Sequence, residues 1–123
     1  MCKISVKHSF LFVLKLNYWL KYMFVYNVTV NIDNDVAAEW LQWMQKVHIP
    51  DVLSTGCFLE NRIFRVLADE DSGGKTYSVQ YYFQTMEDIE CYQNNYAAKL
   101  QQEHTALYKD RFVAFRTLLE VVC

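Results

Sequence analysis

The chain has 123 residues, 53% of them apolar, 16% aromatic and 21% charged, with three glycines and one proline. That length fits one domain, and this composition excludes a disordered chain as well as a fibrous or low-complexity one. The formal net charge of −2 conceals an acidic body, with eight basic against fourteen acidic side chains after residue 22, and an acidic body repels phosphate backbones, which argues against nucleic acid as a partner.

Residues 1–22 are a different material. They carry Lys3, Lys7, Lys15 and Lys21, no acidic residue, and the apolar run Ser9–Leu20, SFLFVLKLNYWL. A basic start followed by an apolar run suggests a signal peptide, but no A-x-A-like cleavage site follows and Lys15 interrupts the run. A membrane span needs about 20 apolar residues, and Lys15 with Lys21 breaks this stretch too. Met23 opens a strand pattern directly, so residues 1–22 are expected to be a non-native or disordered extension from an upstream in-frame start. A genuine signal or membrane anchor is the alternative. The domain itself is expected over residues 23–123.

From Phe24 to Ile32 the residues alternate. Phe24, Tyr26, Val28, Val30 and Ile32 share one side, and Asn27, Thr29 and Asn31 the other. A period of two with β-branched enrichment predicts a half-buried strand. Asp33-Asn34-Asp35 then supplies helix-capping candidates, and Ala37, Trp40, Leu41, Met44 and Val47 or His48 form an apolar stripe at helical spacing. Pro50 is expected to end that helix, because the residue before a proline is pushed out of the α region. A short helical turn over 51–54 follows, and Gly56 offers a left-handed cap.

Phe58–Leu67 reads as a second strand whose charges, Glu60, Arg62 and Arg65, suit a sheet edge. The polar run 69–74 joins it to a third strand, with Tyr77, Val79, Tyr81 and Phe83 on one side and Ser78, Gln80 and Tyr82 on the other. Thr85-Met86-Glu87-Asp88 matches a capping box. The helix it starts is expected to run to Lys109, with its stripe at Ile89, Tyr92, Tyr96, Leu100, His104 and Leu107. Val113–Val122 alternates again and closes the chain as a fourth strand.

Strand, helix, strand, strand, helix, strand is the ferredoxin-like βαββαβ arrangement, an α+β fold with two helices on one face of a four-stranded antiparallel sheet. The first and third strands then lie in the middle. The helix-averted face is expected to carry Asn27, Thr29, Asn31, Ser78, Gln80 and Tyr82, joined by Arg116, Leu118 and Glu120 from the fourth strand and by one of the two sides of the second. Such a face can be solvated, can pair with a second copy in a two-fold dimer, or can bind a ligand or a nucleic acid, the last disfavoured because the central strands offer mainly Tyr82 for stacking and the body is acidic. For the dimer the candidate residues are Asn27, Thr29, Asn31, Ser78, Gln80 and Leu118.

Chemistry-bearing motifs are few. The cysteines at 2, 57, 91 and 123 contain no C-x-x-C pair, which argues against a zinc site or redox dithiol and suits free thiols in the cytoplasm. His8, His48 and His104 show no metal-ligand spacing. His104 lies on an apolar stripe, where a buried, hydrogen-bonded imidazole is the expectation. His48, at a helix end, is either a capping residue or an acid–base or ligand group.

The stretches Tyr26–Ile32 (YNVTVNI), Glu39–Pro50 (EWLQWMQKVHIP), Gly56–Leu67 (GCFLENRIFRVL), Thr76–Tyr81 (TYSVQY) and Phe112–Val121 (FVAFRTLLEV) resemble, in order and spacing, a family of small bacterial proteins known only as a domain of unknown function. That family is similar to the dimeric α/β-barrel superfamily, in which two ferredoxin-like protomers pack sheet against sheet. Relatives there include cofactor-free monooxygenases, heme-handling proteins and small-molecule isomerases. The resemblance implies the fold and a homodimer, and it brings no cofactor and no assigned activity. The expectation is therefore a small-ligand-binding or structural module. The alternative is a cofactor-independent enzyme acting on a small apolar or aromatic substrate, with His48, Trp43, Tyr82 and Arg116 lining a cleft between sheet and helices.

Overall fold

Strand β1 runs over Phe24–Asp33, β2 over Glu60–Arg65, β3 over Gly74–Phe83 and β4 over Phe112–Glu120, all antiparallel to their neighbours in the order β2-β3-β1-β4. The structure, a computed structural model, describes residues 23–68 and 73–123. The expected extension 1–22 and the loop residues 69–72 lie outside the described residues. Between β1 and β2 come a single 3₁₀ turn at Asn34–Val36, helix α1 (Ala37–Trp43), a π-helical turn at Met44–His48, and helix α2 (Ile49–Ser54). Between β3 and β4 come α3 (Met86–Asn95) and α4 (Ala97–Tyr108). This is the ferredoxin-like arrangement that the alternation of strand and helix patterns predicts.

The strand alternation places the core. Tyr26, Val30, Ile32, Tyr77, Val79, Tyr81 and Phe83 are buried under the helices, against Trp40, Met44, Val52, Ile89 and Tyr92. Trp40, Ile32 and Phe83 are wholly inaccessible; burying a large apolar side chain stabilises by about 1.5–3 kcal/mol. Arg111 closes one end of the layer. Its Nε donates to Asp33 Oδ2 at 2.8 Å and its guanidinium also pairs with Asp35, tying the start of β4 to the end of β1.

Three local expectations are corrected. Pro50 does not end the first helix: the π turn before it widens the backbone, so the chain absorbs a residue with no N–H to donate and continues as α2, with the proline in its first turn. The second helix is broken at Tyr96, whose backbone leaves the helical region (φ −128°, ψ −33°). There Asn95 donates its side-chain amide to the Cys91 carbonyl one turn back, at 2.9 Å, a local bond that competes with the helical ladder. Past the break the buried stripe shifts to Ala97, Leu100, His104 and Tyr108, leaving Tyr96 and Leu107 exposed.

The third correction concerns β4. Arg116 pairs across from Val28, Leu118 from Tyr26 and Glu120 from Phe24, so all three stand on the helix side of the sheet. The helix-averted set is instead Val113, Phe115, Thr117 and Leu119. A strand read one residue out of phase exchanges its two faces, and here the more apolar set faces away from the core. On β2, Glu60, Arg62 and Phe64 lie opposite Tyr82, Gln80 and Ser78 and share the averted face with them.

Candidate functional site

The helix-side surface of the sheet is uneven. Val28, Val30 and Val79 on the central strands and Ala114 on β4 are small, and the aromatic residues around them are large. A cavity of about 40 Å³ opens above these small side chains. It is walled by Tyr26, Tyr81, Tyr92 and Phe112, and closed by Met44 and His48 from the π turn and by Gln101 and His104 from α4. Arg116 also lines it and is exposed overall, so it stands where the cavity meets solvent.

His104 is held by Trp40, whose indole N–H donates to His104 Nε2 at 2.8 Å. An Nε2 that accepts leaves the proton of the neutral ring on Nδ1. The ring also stands edge-on to Phe112, 4.4 Å between centroids. His48 stacks on Trp43, 5.1 Å apart and 29° from parallel, and lies 5.8 Å from His104. Its Nδ1 is buried and has no hydrogen-bond partner among the described residues, an arrangement that is costly unless something supplies one.

Burial holds both imidazoles well below the ordinary histidine value, to about 4 in each case. For His48, the positive Arg116 adds to that effect while Asp51 opposes it; for His104, His48 and Arg116 both add to it. Near neutral pH the two rings are therefore uncharged. Tyr26 is pushed up by burial, against the opposing pull of Arg116, and its hydroxyl interacts with both Arg116 and Gln101. Tyr92 is also raised, first by burial. The site thus joins two neutral imidazoles, a buried His48 nitrogen without a partner among the described residues, tyrosine hydroxyls and a guanidinium.

The four residues expected to line a cleft are distributed differently. His48 and Arg116 line the cavity, and Trp43 stands behind His48 without lining it. Tyr82 is on the opposite face of the sheet, at the end of a hydrogen-bonded row. In that row Tyr82 donates to Gln80 Oε1 at 2.8 Å, Gln80 to Ser78 Oγ at 3.2 Å, Ser78 to Asn27 Oδ1 at 2.6 Å, and Asn27 to Thr29 Oγ1 at 3.0 Å. Of the candidate dimer residues, Asn27, Thr29, Asn31, Ser78 and Gln80 share this averted face, and Leu118 does not.

Sequence pattern alone does not single out Tyr26, Tyr92 or Gln101 as site residues. The stripe positions of Tyr26 and Tyr92 mark them only as core, and Gln101 carries no signal. Cys57 and Cys91 are free thiols, the first buried and the second exposed. Among the described residues there is no cluster of three metal-ligating side chains, and no helix long and apolar enough to cross a membrane.

A four-stranded antiparallel sheet covered on one face, with a cavity between sheet and helices, defines a ferredoxin-like α+β protein. Residues 23–122 match the family described as a domain of unknown function, DUF4286, and the chain belongs to it. No curated protein matches. Solved structures share the fold at low identity. A dimeric ferredoxin-like protein from an uncultured marine organism is 17% identical, with a TM-score of 0.62 over 83% of this chain and 97% of its own. SnoaB, a cofactor-independent oxygenase from Streptomyces nogalater, is 12% identical, with a TM-score of 0.58 over 81% of this chain and 94% of its own. A monooxygenase from Streptomyces coelicolor, solved with nanaomycin D, is 11% identical, with a TM-score of 0.56 over 84% of this chain and 92% of its own.

Proposed function

We propose that the protein is a homodimeric small-ligand-binding module whose ligand occupies the cavity between sheet and helices. The observation that carries this reading is His48 Nδ1, a buried polar atom without a partner among the described residues, on a side chain lining a cavity that Arg116 also lines. A nitrogen in that position gains a full hydrogen bond when a ligand arrives. The dimer is supported by the apolar set of β4 turned away from the core and by the dimeric ferredoxin-like neighbour.

A second reading, a cofactor-independent enzyme acting on a small apolar or aromatic substrate, is supported by the neutral His48 ring in the cavity wall, whereas His104 already accepts from Trp40. A neutral histidine inside a cavity can accept a proton from a substrate. Cytoplasmic location belongs to the same proposal, with no cofactor invoked.

Native mass spectrometry of the protein purified without denaturation tests both readings. A dimer retaining a small molecule, which the His48→Ala variant loses while staying dimeric, is the expected result. A retained molecule whose mass changes on standing in aerated buffer would move the conclusion to the enzyme. A bare protomer would overturn the dimer and the bound ligand together.

A further inference from the structure

Building on the cavity as a ligand site, we propose that its ligand is a small organic monoanion, a carboxylate with a body of few carbon atoms and its charge on Arg116. Among the described residues Arg116 is the one permanently charged side chain lining the cavity; no aspartate or glutamate contributes to the wall. Among the same residues no carboxylate stands within ion-pair distance of it. Glu120 shares its face of β4 but lies four residues along the strand, about 13 Å away at the usual rise per residue. The guanidinium thus presents a positive charge to a largely apolar cavity, where an opposite charge is favoured and a cation excluded.

The other walls suit the rest of such a molecule. Val28, Val30, Val79 and Ala114 contact a short apolar body, and His48, in the neutral tautomer with its proton on Nδ1, donates a second hydrogen bond to the carboxylate beside the guanidinium. Size sets the upper bound. At about 40 Å³ the cavity is far below the roughly 300–1,000 Å³ of sites for drug-sized ligands, so only a few heavy atoms enter unless the ligand extends outward past Arg116.

The test compares propionate with propionamide, its neutral counterpart of nearly equal shape. Each is titrated into histidine-labelled protein at constant ionic strength, and the His48 and His104 ring resonances are followed by NMR. Propionate should shift both rings at a concentration at least about tenfold lower than propionamide, as expected when a charged hydrogen bond replaces a neutral one. The Arg116→Gln variant, on an exposed edge-strand position and checked by its unchanged melting curve, should abolish the difference. If propionamide shifts the rings as readily as propionate, the anion is wrong and the ligand site stands. If neither probe moves the rings, both fall.

Discussion

His48 and His104 show how one residue type can be read partly right from its position. The helical stripe places His104 among apolar residues, and the Trp40 indole is the hydrogen-bond partner that such a position requires. That His104 also borders the cavity and lies 5.8 Å from His48 depends on the packing of α4 against the π turn, which has no sequence period. The pair makes stability depend on pH in a defined window. Each ring titrates at about 4 in the folded chain, against about 6.5 when unfolded. Above pH 6.5 neither state takes up a proton there. Between about 6.5 and 4 the unfolded chain binds protons that the folded chain refuses, so stability falls as pH falls, by up to about 1.4 kcal/mol per pH unit for each ring. Below about 4 both states are protonated and this contribution levels off. Asp35, held below its ordinary carboxylate value by Arg111, acts only at still lower pH. Urea midpoints should therefore drop from pH 7 to pH 5, and His104→Gln, which keeps an acceptor for Trp40, should show a shallower drop. A midpoint unchanged across that range would mean that the two rings are not buried in the neutral form.

Elements with strong local signals are legible in the sequence, and elements set by tertiary contacts are less so. β3 follows its alternation closely, with Tyr77, Val79, Tyr81 and Phe83 buried in turn; β1 keeps the same period less cleanly, since Val25 and Asn27 on the averted side are buried while Phe24 and Val28 on the helix side are half-buried. The start of α3 is equally clear: Thr85 accepts from the Asp88 N–H, and Asp88 in return accepts from the Thr85 N–H. Thr85→Ala removes half of this box and should lower stability by about 1 kcal/mol, with Thr85→Ser restoring most of it. Equal melting temperatures for Ala and wild type would show that the first turn of α3 frays without consequence. Pro50 misleads because the rule about proline assumes a regular α-helix, and the π turn lies outside that assumption. The break at Tyr96 is hidden because Ile89, Tyr92, Tyr96 and Leu100 fit one uninterrupted stripe. On β4 both faces are largely apolar, so periodicity has no contrast with which to assign the inner one, and only pairing with β1 decides it.

At the scale of the molecule, that ambiguity on β4 becomes informative. The averted face carries a hydrogen-bonded polar row over the two central strands, flanked by Glu60, Arg62 and Phe64 on β2 and by Val113, Phe115 and Leu119 on β4. Val113 is 72% exposed and Phe115 61% in the single chain. An apolar flank on β4, with Phe64 across the sheet, beside a self-satisfied polar centre suits association better than solvation, since the flank gains from burial and the central groups already have partners. In a two-fold dimer each position occurs twice at the interface, so one substitution introduces two changes. Phe115→Glu should therefore turn a dimer into a monomer by light scattering while leaving the protomer folded, because the side chain touches solvent and not the core. The cavity lies on the other face of the sheet, and the monomeric variant should keep its His48 and His104 resonances. If Phe115→Glu remains dimeric with unchanged affinity, the averted face is not the interface, and the exposed β4 edge becomes the surface to test.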